Sequence, residues 1–350
     1  MYNNEIIQND IKEIVSQDID FEKWKNKKIL ITGATGMLAT YFMYVLMYLN
    51  DKFDYKIKIF ALVRNIDNLK AKTNYTERND IIPIVQDVCS NININEKIDY
   101  IIHMAGSADP KSFTQNPIGV INANVIGSIN VLELARKNNA KVLFTSTREI
   151  YGKVEKENID ENDMGELNCT EVRSCYPESK RMAENIFCCY SYQYGVIYKI
   201  ARIAHSYGPG MAIKDDGRIM ADLISNVVNS NDIILKSNGE AKRAFCYILD
   251  AISALFRIIF FNDENEIYNV ANETEEISIR DLAYKLEEKY KNKHIKVVFK
   301  IQENKNQYLK FERRRLNTAK LESIGWKPII SLKEGIDRTI KYFESMQYGK

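Results

Sequence analysis

Surplus charge of either sign is what this sequence most lacks. Against 49 Lys and Arg stand 47 Asp and Glu, a net of +2 over 350 residues. Neither nucleic acid nor another polyanion is an expected partner. Basic clusters such as Arg313-Arg314-Arg315 are too short to form a nucleic-acid-binding arm. Long apolar runs are missing as well: no window approaches 18 uninterrupted apolar residues, and the first residues are polar and acidic, so neither a membrane span nor a signal peptide is expected. Histidine is scarce, at three residues, and the six cysteines (Cys89, Cys169, Cys175, Cys188, Cys189 and Cys246) have no C-x-x-C spacing. No metal site is expected from such a set. The cysteines read as reduced thiols and the expected location is cytoplasmic. No internal repeat or low-complexity segment is found, and the length suits one large domain or two modest ones.

What is present organises itself around residues 28–41, Lys28-Ile29-Leu30-Ile31-Thr32-Gly33-Ala34-Thr35-Gly36-Met37-Leu38-Ala39-Thr40-Tyr41. A short β-branched run ends in a loop with two glycines, and an apolar segment of helical length follows. Strand, tight glycine turn and helix form the first half of a dinucleotide-binding βαβ unit. Gly33 permits the turn and Gly36 lets backbone N–H groups approach a pyrophosphate at the helix start. Ala39 is the small residue that allows close packing of helix on strand. The motif by itself is weak, because glycine turns also occur where nothing binds.

Upstream, residues 1–26 carry Ile7, Ile11 and Ile14 at helical spacing, a short amphipathic helix packed on the domain or on a partner subunit. Downstream, strands and helices alternate, which predicts a doubly wound parallel sheet of Rossmann type over residues 27–204. A smaller mixed α/β substrate-binding lobe is expected over 205–350, interleaved with the end of the sheet domain. The second strand ends in Arg64-Asn65, where an NAD-binding chain ordinarily has an acid for the ribose 2′-hydroxyl. Arg64 suits a 2′-phosphate, which keeps NADP open beside NAD; a solvated Arg64 next to NAD is the other reading. The third strand runs into Asp87 and Val88, the fourth into His103-Met104-Ala105-Gly106, and the next helix carries Asn124. Asp87 is placed to meet the adenine amino group, and Ala105-Gly106 leaves room for the cofactor. The expected cofactor-binding set is Gly33, Thr35, Gly36, Met37, Leu38, Arg64, Asp87, Val88, Met104, Ala105, Gly106, Asn124, Tyr176 and Lys180.

Tyr176 and Lys180 lie four apart at the start of an apolar helix, one turn from each other on one face. An ammonium beside a phenol favours phenolate, which suits a general base, and the same lysine could bond a nicotinamide ribose. Among 21 tyrosines one such pair is expected by chance. The combination is more specific. Thr32-Gly33-x-x-Gly36, then Ser146-Thr147-Arg148-Glu149-Ile150-Tyr151-Gly152, then Tyr176-x-x-x-Lys180 resembles the extended short-chain dehydrogenase/reductase family, in its nucleotide-sugar branch. The serine–threonine stretch looks like that branch's S-T-x-E-V-Y-G signature. Residues 175–185 and 201–247 look most like UDP-glucuronate decarboxylases, with dTDP-glucose 4,6-dehydratases as the next likeness.

The resemblance implies bound NAD, a nucleotide-sugar substrate and a homodimer formed through the helices that bear Asn124 and Tyr176. It implies that Tyr176 takes the proton of the sugar 4-hydroxyl, Thr147 bonds that oxygen, Lys180 tunes Tyr176 and Glu149 acts near C5 and C6 as base or water-positioner. Arg148 departs from the pattern: dehydratases resemble Asp there and decarboxylases a small Ser. It either recognises an anionic group such as a C6 carboxylate or faces away along the strand. His205 stands where the family often has Asn, and Arg218, Arg243 and Arg313 match positions that cradle the nucleotide or its diphosphate. The implied reaction proceeds through a transient 4-keto sugar, as decarboxylation, with dehydration or epimerisation as the alternatives. A silent dinucleotide-binding protein would have no use for Thr147, Tyr176 and Lys180 together.

Overall fold

The computed structural model describes residues 1–214, 216–301 and 314–348. Seven strands form the central sheet: β1 (Lys28–Thr32), β2 (Lys58–Val63), β3 (Ile81–Val85), β4 (Tyr100–His103), β5 (Lys141–Thr147), β6 (Tyr198–Ile203) and β7 (Glu266–Val270). All pairings are parallel, in the spatial order β7-β6-β5-β4-β1-β2-β3. A parallel sheet is covered on both faces, so its strands are apolar throughout instead of alternating. Ile29 and Ile31 of β1 point into one core and Leu30 into the other.

The helices follow in order as α1 (Glu5–Val15), α2 (Met37–Phe53), α3 (Ile66–Thr73), α4 (Pro110–Gln115), α5 (Pro117–Asn138), α6 (Cys175–Tyr194), α7 (Ile219–Val228), α8 (Ile248–Phe260), α9 (Ile279–Lys289), α10 (Ala319–Ser323) and α11 (Leu332–Tyr348). The cores place α2 and α8 on one face of the sheet and α5 and α6 on the other. By length and composition α5 could cross a membrane, with a mean hydropathy of 1.5 over its most apolar stretch, but half of that stretch is buried. Val131, Leu132 and Ala135 pack it into the core beneath the sheet.

Helix α1 packs on the domain itself, with Ile7, Ile11 and Ile14 fully buried against α2, α8 and α11. Its Asp10, also fully buried, accepts hydrogen bonds from Tyr41 (2.7 Å), Tyr247 (2.8 Å) and Arg338 (2.6 Å). Strand β7, which chain position alone assigns to the smaller lobe, pairs with β6 and closes the sheet edge. The remainder of the C-terminal third carries α7, α9 and short strand pairs: Ile233–Leu235 with Val297–Phe299, and Lys242–Ala244 with Glu276–Ser278.

Candidate active site

The strand order reverses between β1 and β4, and open α/β sheets bind ligands beyond the C-terminal ends of the strands at that crevice. Gly33 leaves β1 with φ +65°, and a Cβ there would come within 2.8 Å of the Ala105 Cα and the Met104 carbonyl. Glycine is therefore required both by the turn and by the closeness of the loop after β4. The Gly36 N–H closes the turn on the Gly33 carbonyl (2.8 Å), and Gly36 caps α2. Thr35, Met37 and Leu38 surround this helix start. The Thr35 carbonyl accepts from Lys72 Nζ of α3 (2.5 Å), a contact that sequence spacing does not suggest.

A buried relay fixes the loop after β4. Thr32 Oγ1 accepts from the N–H groups of Met104 (3.2 Å) and Ala105 (3.1 Å), so its own proton is left for His103 Nδ1 at 2.8 Å. His103 then carries its proton on Nε2 and donates to Ser128 Oγ (3.2 Å), which donates to the Asn124 carbonyl (2.5 Å). Burial, reinforced by the Lys180 charge, pushes the imidazole down to about 3, so His103 is neutral. Asn124 is fully buried and donates to Ser179 Oγ (2.9 Å), while its Oδ1 has no partner among the described residues. A Cβ on Gly106 would lie 2.8 Å from that oxygen and 3.8 Å from Lys180 Nζ. Bare backbone at Gly33, Gly36 and Gly106, with an unused buried acceptor beside them, fits a dinucleotide.

Beyond β5 stand the groups that can do chemistry. Tyr176 is buried, its ring stacked on Phe113 (4.5 Å, 17°). Burial raises its phenol pKa and the Glu149 carboxylate raises it further. A hydrogen bond to Thr147 and the charges of Arg173 and Arg218 act the other way. Lys180 donates to the Thr145 carbonyl (2.9 Å) and lies 4.4 Å from the Phe144 ring centre. Desolvation pulls this lysine down to about 7. In this geometry the Lys180 ammonium bonds the β5 backbone with one of its three donors, while Arg173 and Arg218 are the charges that lower the phenol. Glu149 pairs with Arg173 Nη2 at 3.0 Å from each oxygen, and its N–H bonds Thr147 Oγ1 (3.2 Å).

Such a crevice with a buried Thr–Tyr–Lys cluster at its end agrees with a comparison of the sequence to protein-family models, in which the NAD dependent epimerase/dehydratase family matches residues 29–271. The chain belongs to that family. It is 33% identical over 311 residues to UDP-glucuronic acid decarboxylase 6 of Arabidopsis thaliana, covering 89% of this chain and 87% of the relative. UDP-glucuronic acid decarboxylase 1 of Danio rerio is 30% identical over 320 residues, covering 91% and 72%. Among solved structures, a UDP-glucose 4-epimerase of Thermotoga maritima superimposes with a TM-score of 0.77 at 20% identity, covering 91% of this chain and 99% of the other. A dTDP-glucose 4,6-dehydratase of Streptomyces venezuelae with NAD bound gives 0.75 at 18% identity, covering 92% and 98%. These two likenesses carry the fold.

The remaining residues expected from sequence fall around this crevice and in the smaller lobe. Arg64 is exposed at the end of β2 and acts electrostatically on Asp87, whose carboxylate is lowered first by the Cys89 N–H and last by that arginine. Val88 packs under Gly127, and its carbonyl accepts from Asn130 (2.9 Å). Arg148 donates to the Arg314 carbonyl (3.0 Å), toward the C-terminal segment, whereas Glu149 is met by Arg173. Arg218 makes a two-point contact with Asp216 (2.5 and 2.8 Å) and interacts electrostatically with Tyr176 and Asp109, so it borders the cluster around Tyr176. His205 has φ +47° and its ring lies 6.0 Å from that of Phe245. Arg243 donates to the Lys242 carbonyl (2.8 Å). Arg313 lies outside the described residues. Among those described, no group of three or more His, Cys, Asp or Glu is arranged to hold a metal, and all six cysteines are free thiols.

Proposed function

We propose that this chain converts a nucleotide sugar through a transient 4-keto intermediate, and that the reaction is the decarboxylation of UDP-glucuronate. A nicotinamide dinucleotide along Gly33, Gly36, Gly106 and Asn124 would supply the acceptor, and later the donor, of the C4 hydride. Tyr176 takes the 4-hydroxyl proton as C4 becomes a ketone, and Thr147 holds the same oxygen. A C6 carboxylate is then β to that ketone. Its C5–C6 electron pair moves toward the C4 oxygen as CO₂ departs, and C5 afterwards takes a proton from water positioned by Glu149. Tyr176 returns its proton to O4 as C4 is reduced.

The observation that carries this reading over dehydration is Arg148. A departing 6-hydroxyl needs an acid, and the residue beside Glu149 is a guanidinium turned to the Arg314 carbonyl. CO₂ leaves without a proton and needs none. The test is mass spectrometry after incubation with UDP-glucuronate. A UDP-pentose with CO₂ and no net NADH supports the reading; a 4-keto-6-deoxy product made only from a UDP- or dTDP-hexose replaces it with dehydration.

We assign the nucleotide to the smaller lobe, near Arg218 and Arg243. Two cations border the adenosine end of the crevice: exposed Arg64, and Lys72, whose ammonium burial lowers and whose bond goes to the Thr35 carbonyl. They favour tolerance of a 2′-phosphate, so that NADP would bind comparably to NAD. A homodimer through α5 and α6 is supported by the apolar Ile118, Ile126, Ile129 and Met182 left exposed on these two helices. A monomer by sedimentation would dismiss it.

A further inference from the structure

Arg173 is a buried cation that sequence reasoning passed over. It lies in the single turn Val172–Ser174 that leads into α6, three residues before Tyr176, and its side chain is 10% exposed. Its guanidinium carbon is 4.4 Å from the centre of the Phe113 ring, the same ring that stacks on Tyr176. The group is thus fixed from one face and tied to the catalytic phenol through a shared aromatic.

Its hydrogen bonding is lopsided. An arginine that served only to hold a carboxylate would present two nitrogens to two oxygens as a fork. Here one nitrogen, Nη2, takes both oxygens of Glu149, while Nε and Nη1 are buried with no partner among the described residues. Buried donors without acceptors are strongly disfavoured, and native structures leave few of them. A guanidinium carries five N–H donors, so Nη1, with the second hydrogen of Nη2, still offers a whole edge. That edge belongs to a side chain already engaged with Glu149, in the cluster whose charges act on Tyr176. The chemistry that satisfies it is a planar anion with two oxygens.

We propose that Arg173 is the recognition residue for the C6 carboxylate of the sugar, so that this arginine sets the preference for a nucleotide hexuronate over the matching neutral hexose. The proposal rests on the decarboxylase reading for the identity of the anion. It also gives Arg148, engaged with the Arg314 carbonyl, no part in that recognition. Because the carboxylate is held before it is lost, the arginine contributes to substrate binding more than to the later steps.

The test uses the cofactor-loaded full chain carrying Tyr176→Phe, which cannot turn over, and measures calorimetric binding of UDP-glucuronate and UDP-glucose with Arg173 intact, as Arg173→Gln and as Arg173→Lys. With Arg173 intact, UDP-glucuronate is expected to bind roughly tenfold tighter or more, the worth of a charge-assisted pair. Arg173→Gln should collapse that ratio toward one while UDP-glucose affinity stays within about twofold, and Arg173→Lys should restore part of it. A ratio unchanged by Arg173→Gln, or equal weakening of both ligands, overturns the proposal. If the Gln variant fails to fold, the Lys variant decides: an undiminished preference with the fork removed also overturns it. The two readings fail separately. Release of CO₂ from UDP-glucuronate with an unchanged ratio refutes the recognition and keeps the reaction. A collapsed ratio without CO₂ release keeps the recognition and refutes the reaction.

Discussion

A phenol buried beside a carboxylate holds its proton more tightly than one in water, and Tyr176 is such a phenol. The proposed use of Tyr176 as a base would depend on positive charge brought close, by Arg173 and Arg218 and by an oxidised nicotinamide when one is bound. Replacing Tyr176 by Phe removes the proton acceptor and keeps the ring that stacks on Phe113. Turnover should fall by roughly 10²–10⁴-fold or more, with cofactor affinity almost unchanged; steady-state rates and a fluorescence titration check both parts. His103 makes a different prediction. Its folded pKa, about 3, lies below the unfolded value of 6.5, so the native state binds fewer protons in between. Stability is intact above pH 6.5 and is lost as pH falls through that window, by about 1.4 kcal/mol per pH unit. Urea denaturation should show this acid slope shrinking in His103→Gln.

At the scale of single elements, the β1–α2 turn tolerates no side chain at its first glycine. Gly33→Ala would meet the Met104–Ala105 backbone at 2.8–2.9 Å and force alanine to φ +65°. The left-handed conformation alone costs about 1–2 kcal/mol, and the clash pushes the β4 loop out of the cofactor crevice. Lower stability together with lost dinucleotide binding is the expected outcome, read by thermal melts with and without NAD. This turn was legible in the sequence because its cause is local, as were the apolar parallel strands and the helix that carries Tyr176 and Lys180. What was not legible depends on pairing across the chain. Strand β7 reads as part of the smaller lobe until its partner β6 is seen. The four-residue spacing of Tyr176 and Lys180 suggests direct contact, yet the ammonium reaches the Thr145 carbonyl, contributed by a strand 35 residues earlier. Arg173 sits in a polar stretch with no periodicity to single it out; only its bond to Glu149, 24 residues away, reveals it.

For the molecule as a whole, α1, the sheet domain and α11 meet at one buried carboxylate. Asp10 is held by two tyrosines from different elements and by Arg338, which also pairs with Glu13 and Glu334. Burial raises the Asp10 pKa and these three contacts oppose it. Removing the cation with Arg338→Met leaves an uncompensated charge inside the fold, a loss of about 3–5 kcal/mol. Equilibrium denaturation should find it although the site lies in another part of the molecule, and the cofactor-loaded enzyme should keep its turnover number at low temperature.

The same junction sets a timetable for biosynthesis. Arg338 follows Asp10 by 328 residues, and a ribosome adding 5–20 residues per second needs roughly 20–60 s to cover that distance. Until α11 emerges, the aspartate has no guanidinium to meet it, so the seating of α1 is completed late. A nascent chain halted before α11 would hold Ile7, Ile11 and Ile14 between α2 and α8 alone, with one wall of their pocket still open to chaperones and proteases.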